Sequence, residues 1–252
     1  LNCATELLDT PIAQGRGERI CIRAAGVAWT WRDLRDRADR IAQVLVRDMG
    51  LVPGNRVLLR APNNPMLAAC WFAVMKAGAI AVATMPLLRA KELKAIIDIG
   101  RVTHALCDAA LADELRQASL SLHLRLFNTS GDGSLEAAMQ RHDAPFVNSD
   151  TAADDTCLLA FTSGTTGVPK ATMHFHRDLL IIADGYAAEV PKVTPDDIFV
   201  GSPPLAFTFG LGGLAIFPLR FGAAAALLEQ ATPPNMIDII QTFKATVCFT
   251  AP

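Results

Sequence analysis

The sequence predicts an α/β protein with mostly parallel β-sheets flanked by helices. Three observations carry this expectation. Short apolar runs of strand length alternate with helix-length segments from Ile20 to Thr250. Most strand runs are separated by a helix, the connection that parallel neighbours need. Apolar residues make up 51% of the 252-residue chain and charged residues 19%, which suits a globular fold with a sizeable core.

The elements follow in order. A helix is expected near Thr5 to Gln14 and a strand from Ile20 to Arg23, with Gly26 turning the chain. Thr30 and Asp33 suit a capping pattern for a helix that buries Leu34, Ala38, Ile41 and Leu45 and stops at Gly50. Arg56 to Arg60 reads as a strand, and Asn63-Asn64-Pro65 starts the next helix with proline in its first turn. That helix ends at Gly78, and Ala79 to Thr84 is a strand. A helix (90–99), a strand (103–107), a helix (109–117) and a strand (122–127) continue the alternation.

Residues 129–156 are rich in Gly, Asp, Ser and Asn and form a connector, with one short helix from Leu135 to Arg141. We therefore expect an N-terminal α/β subdomain over 1–150 and a second region over 151–252. The second region holds strands at Cys157 to Phe161 and Ala171 to Phe175, then a helix reaching Val190. A strand (198–201), a strand (223–228), a helix (234–244) and a strand (246–250) complete it.

Composition also excludes function classes. A net charge of −2 gives no electrostatic case for nucleic acid or an anionic membrane. The uncharged run Val200 to Leu219 is interrupted by Pro203, Pro204 and Pro218 and by glycines, which suits a buried loop and short helix, not a membrane span. Six scattered cysteines without a C-x-x-C pair indicate reduced thiols and a cytoplasmic protein. His174 and His176 would share one strand face, but no third or fourth ligand has matching spacing, so no metal site is expected.

The chemistry is concentrated in Thr162-Ser163-Gly164-Thr165-Thr166-Gly167-Val168-Pro169-Lys170. Glycines let a backbone curve with its N–H groups inward, and such a concave row of donors binds anions. The hydroxyls add donors and Lys170 adds a mobile positive charge, so this is a loop suited to a polyphosphate. It is not the Walker A loop, because Val168-Pro169 separates Gly167 from Lys170 and Ala171 follows. A simple Gly/Ser/Thr surface loop is the bland alternative, weakened by strands on both sides and the terminal lysine.

The run Thr162 to Lys170 resembles the phosphate-loop signature of the adenylate-forming enzymes, which include acyl- and aryl-CoA synthetases, firefly luciferase and peptide-synthetase adenylation domains. One departure is Ala171, where that family usually has glycine. The segment Ala206-Phe207-Thr208-Phe209-Gly210-Leu211-Gly212 is similar to the benzoate and 2-aminobenzoate CoA ligases. The resemblance implies the N-terminal portion of the adenylate-forming fold, with the C-terminal part absent. It implies an acid–CoA ligase that activates a carboxylate with ATP to an acyl-adenylate and transfers it to coenzyme A. Ser163, Gly164, Thr165, Thr166 and Gly167 would hold the β- and γ-phosphates, with Thr162 at the loop's entry. Lys170 would be the catalytic residue, and Mg²⁺ would bridge the phosphates.

Ala206, Phe207, Thr208, Phe209 and Gly210 would line the acid pocket, their rings facing an aromatic acid and the glycines leaving room for it. The adenine, ribose and hinge segments of that family lie beyond this chain, so alone it is expected to turn over poorly. An unfinished sheet edge also invites self-association. The competing expectation is a non-catalytic nucleotide-binding or interaction module that keeps the loop.

Overall fold

Capping residues and apolar periodicity set the local elements, and two sheets then organise them. The computed structural model describes residues 1–143, 145–162 and 169–250. The expected first helix is two helical segments, Thr5–Asp9 and Ile12–Arg16, the second kinked at Gly15. Strands β1 (Ile20–Ala24) and β2 (Val27–Thr30) pair as an antiparallel hairpin. Thr30 then starts helix α1 (Trp31–Gln43): its hydroxyl accepts from the Asp33 N–H at 3.1 Å, and its own N–H donates to Asp33 Oδ2 at 3.0 Å. That reciprocal cap satisfies donors no helical carbonyl can reach.

Strand β3 (Arg56–Arg60) leads to α2 (Pro65–Lys76), where Asn64 Oδ1 accepts from the Leu67 N–H at 2.9 Å. Leu67 to Lys76 are all buried in α2, which packs on β1 of one sheet and on β3 and β4 (Ile80–Thr84) of the other. It is thus a middle layer, apolar nearly all round. Its one buried charge, Lys76 Nζ, lies 2.9 Å from Asp39 Oδ1 and 2.9 Å from both carboxylate oxygens of Asp9. Burial holds the Asp39 carboxyl above its ordinary range, with Lys76 opposing.

The alternation continues through α3 (Ala90–Gly100), β5 (His104–Asp108), α4 (Ala112–Ala118), β6 (His123–Phe127) and α5 (Leu135–Met139). Next come β7 (Thr156–Thr162), β8 (Lys170–Phe175) and α6 (His176–Ile182), which continues helically over Ala183–Ala187. The chain then forms β9 (Ile198–Gly201), α7 (Thr208–Leu211), a helical turn Gly212–Ile216 and α8 (Phe217–Phe221). Strand β10 (Ala224–Ala226), helix α9 (Pro233–Phe243) and β11 (Val247–Phe249) follow.

Among the described residues the strands form a five-stranded sheet, β11-β9-β10-β1-β2, and a six-stranded sheet, β6-β5-β3-β4-β7-β8. All neighbours are parallel except β1/β2 and β7/β8. The sheets do not divide the chain at residue 150, because β1 pairs with β10 and so joins β2 to the sheet built from the late strands. One large core spans both sheets and includes Trp31, Trp71, Phe72, Phe127 and Phe199. Each such side chain contributes about 1.5–3 kcal/mol by leaving water. Among the described residues no helix is long and apolar enough to cross a membrane. The six cysteines are free thiols, and only Cys248 is exposed.

Candidate functional site

The polar end of the candidate site is the end of the β7–β8 hairpin at Thr162 and Lys170. Residues Ser163, Gly164, Thr165, Thr166 and Gly167 lie outside the described residues, and Thr162 and Lys170 stand at either end of that stretch. The register pairs Thr162 directly with Lys170, and Phe161 with Ala171. Both Thr162 and Lys170 are exposed, and among the described residues Lys170 has no carboxylate at ion-pair distance. Its charge is therefore available to an incoming anion. Ala171 is an ordinary strand residue, outside the positive-φ positions, so the side chain where glycine was expected strains nothing.

The two histidines separate where the strand ends. His174 stays in β8, whereas His176 opens α6 and is buried, so they do not share a strand face. The turn is fixed by the Phe175 N–H, which donates to Asp178 Oδ2 at 2.9 Å, and by the Arg177–Asp154 ion pair. His176 Nδ1 accepts from the Cys3 N–H at 3.2 Å, and burial pulls its pKa down to about 4.

The segment expected to receive an acid is pinned from a distance. Asn63, beside the α2 cap, donates through Nδ2 to the Pro203 carbonyl at 2.9 Å and accepts through Oδ1 from the Leu205 N–H at 2.7 Å. Gly210 packs against that same turn: a Cβ there would meet the Pro204 carbonyl oxygen at 2.1 Å. Gly213 faces the Phe249 ring, which a Cβ would meet at 2.6 Å. These two glycines therefore permit close packing inside the protein, with the place of a side chain taken by Pro204 and Phe249. Phe249 also stacks on Phe199 at 5.9 Å and meets Phe209 at 5.4 Å and Phe217 at 5.9 Å between ring centroids.

A cavity of about 400 Å³ opens beside this cluster, lined by Leu158, His174, Asp178, Thr208, Phe209 and Phe217 among others. It brings Thr208 and Phe209 to the half of the hairpin remote from Lys170, where Leu158 pairs with His174. Ala206 and Gly210 are buried and Phe207 is exposed, and all three lie outside the cavity lining. A larger cavity of about 740 Å³ lies at the carboxyl ends of β1, β5, β6 and β10. Asn64 Nδ2 there donates to Asp108 Oδ2 at 3.2 Å and Glu229 Oε1 at 3.1 Å, and among the described residues none of the site residues expected from sequence lines it. Sequence reading missed Asn63 and Phe249: the first looked only like part of a helix start, and the second like one more strand residue.

Residues 11–252 match the family model described as AMP-binding enzyme. The chain is 28% identical over 257 residues to a benzoate–CoA ligase of Thauera aromatica, covering 100% of this chain and 49% of that protein. It is 26% identical over 261 residues to a 4-hydroxybenzoate–CoA/benzoate–CoA ligase of Rhodopseudomonas palustris, again with 100% of this chain and 48% of the relative covered. The crystal structure of the anthranilate CoA ligase AuaEII with anthranoyl-AMP matches with a TM-score of 0.91 at 24% identity, over 98% of this chain and 48% of that one. ATP-bound MatB from Rhodopseudomonas palustris matches at TM-score 0.84 and 25% identity, over 98% and 48% of the two chains. The chain thus spans about half the length of the relatives it matches.

Proposed function

This chain belongs to the AMP-binding enzyme family, and on that basis we propose that the protein containing it is an aromatic-acid–CoA ligase. In the first step the acid's carboxylate attacks the α-phosphate of ATP, giving an acyl-adenylate and pyrophosphate. In the second, the thiol of coenzyme A attacks the acyl carbon and AMP leaves. The observation that carries this reading is Lys170, exposed and without an acidic partner among the described residues, paired across the hairpin with Thr162.

Lys170 neutralises charge that builds on the departing pyrophosphate, a contribution of the kind that preorganised cations make in phosphoryl chemistry. Ser163, Gly164, Thr165, Thr166 and Gly167 hold the β- and γ-phosphates through backbone N–H and hydroxyl donors. The described ends of the loop offer a hydroxyl and an ammonium but no carboxylate. A hard cation such as Mg²⁺ would therefore be held mainly by the phosphate oxygens, and it would screen their charge. Thr208 and Phe209, on the cavity beside the hairpin, contact the acid, with Ala206, Phe207 and Gly210 shaping the segment that carries them. The aromatic preference is supported by the apolar lining and by the two hydroxybenzoate and benzoate relatives.

Carboxylate-dependent ATP–pyrophosphate exchange tests the reading, run with benzoate, 2-aminobenzoate and hexanoate on this chain and on the longer protein that contains it. Exchange in the longer protein, strongest with the aryl acids, is the expected result. ATP binding with no exchange for any acid would instead mark a non-catalytic nucleotide-binding module.

A further inference from the structure

Three side chains far apart in sequence meet in the core at the base of the hairpin, where Thr156 pairs with Phe175. Cys3 lies in the N-terminal segment, Cys157 is the second residue of β7, and His176 opens α6; all three are buried. Their potential ligand atoms lie within 4.8 Å of one another. Cys3 Sγ is 3.0 Å from His176 Nδ1 and 3.3 Å from Met75 Sδ. In a tetrahedral zinc site, bonds of about 2.3 Å to sulfur and 2.0 Å to nitrogen put ligand atoms roughly 3.5–3.8 Å apart. The cluster needs only sub-ångström to ångström adjustments to reach that spacing.

We propose that Cys3, Cys157 and His176 form a buried site for one thiophilic divalent cation, Zn²⁺, with the Met75 thioether beside its fourth position. The donor set is two sulfurs and a nitrogen, so a hard ion that prefers oxygen is excluded. A dication with two thiolates is neutral overall, whereas a monovalent ion would leave a net negative charge in an apolar core. Binding balances as one M²⁺ in and two thiol protons out to solvent. The Cys3 N–H, which now donates to His176 Nδ1 at 3.2 Å, gives up that acceptor to the metal.

The ion would tie residue 3 to the end of the hairpin remote from Lys170, since Thr156 pairs with Phe175 and Thr162 with Lys170. It clamps the base of the element that carries the loop and takes no part in acid activation, so its test does not depend on the ligase reading.

The test uses the reduced, metal-free protein with Cys248→Ser, which removes the exposed thiol. Titration with Co²⁺ is expected to give thiolate-to-cobalt charge-transfer absorption that saturates at one equivalent and is displaced by Zn²⁺. A pH indicator should record two protons released per ion. Zn²⁺ at about a hundredfold excess over its Kd should raise Tm by several degrees. Cys157→Ala and, separately, Cys3→Ala should each abolish the tetrahedral cobalt spectrum; two variants guard against one that fails to fold. No charge-transfer band in the Cys248→Ser protein would overturn the proposal, and so would a band that survives both alanine variants. Either result would mean that the three side chains only pack.

Discussion

The Thr162–Lys170 end of the β7–β8 hairpin and the buried face of α2 solve opposite problems with the same residue type. Lys170 is exposed with no described acidic partner, whereas Lys76 is 1% exposed and held by Asp9, Asp39 and Asn148. A lysine meant to meet an incoming anion stays in water until the anion arrives, and its charge is then uncommitted. A lysine inside the core is tolerated only because its ligands are already in place. The difference teaches that chemistry here sits where the fold leaves a charge unanswered.

Removing each lysine should separate the two cases. Lys76→Ala leaves the buried Asp39 with only the more distant Arg35, at 3.9 Å, and should cost about 3–5 kcal/mol of stability, read by urea unfolding. A loss under 1 kcal/mol would show that water readily replaces the ammonium. Lys170→Ala in the longer protein should leave unfolding unchanged and slow ATP–pyrophosphate exchange by about 10²–10³-fold, some 2.7–4 kcal/mol in barrier. Unaltered exchange would remove Lys170 from the mechanism.

A buried base sharpens the comparison from the pH side. His176 has its pKa lowered by burial to about 4, below its ordinary value, so between these limits the unfolded chain holds more protons than the native one. Its contribution is fully present above about pH 6.5 and is lost as pH falls toward 4, to a total of about 3 kcal/mol for the metal-free protein. Unfolding measured at steps across that range should show the slope, and His176→Gln should flatten it. The smallest effect is expected at the distant pin. Asn63→Ala orphans the Leu205 N–H and should cost about 1–3 kcal/mol, while weakening acid binding more than ATP binding. Equal losses for both ligands would mean that Asn63 only supports the fold.

Much of the local structure was readable because its causes are local. Thr30 with Asp33, and Asn64 before Pro65, start helices where the sequence placed them, since each cap is closed within three residues. The strands Arg56–Arg60 and Ile198–Gly201 have the bounds the apolar runs suggested. The strands expected on either side of the Gly/Ser/Thr run are present and pair with each other as a hairpin. The acid segment was legible only in part. Its glycines looked like room for a ligand, but Pro204 and Phe249 fill the space beside Gly210 and Gly213.

The sequence by itself determined the α/β alternation, the helix starts, the mostly parallel character and the two strands that end at Thr162 and begin at Lys170. All of these depend on neighbours in the chain: a cap, a period or a turn. Tertiary structure alone decided that β1 lies against β10, that Asn63 holds the turn at Pro203–Leu205, and that Cys3 meets Cys157 and His176. Those meetings join residues from about 20 to 200 positions apart. Nothing in an apolar run specifies which other run it will pair with, because backbone hydrogen bonds are alike in every strand. The choice falls to packing of the whole core, where shape and burial select one arrangement.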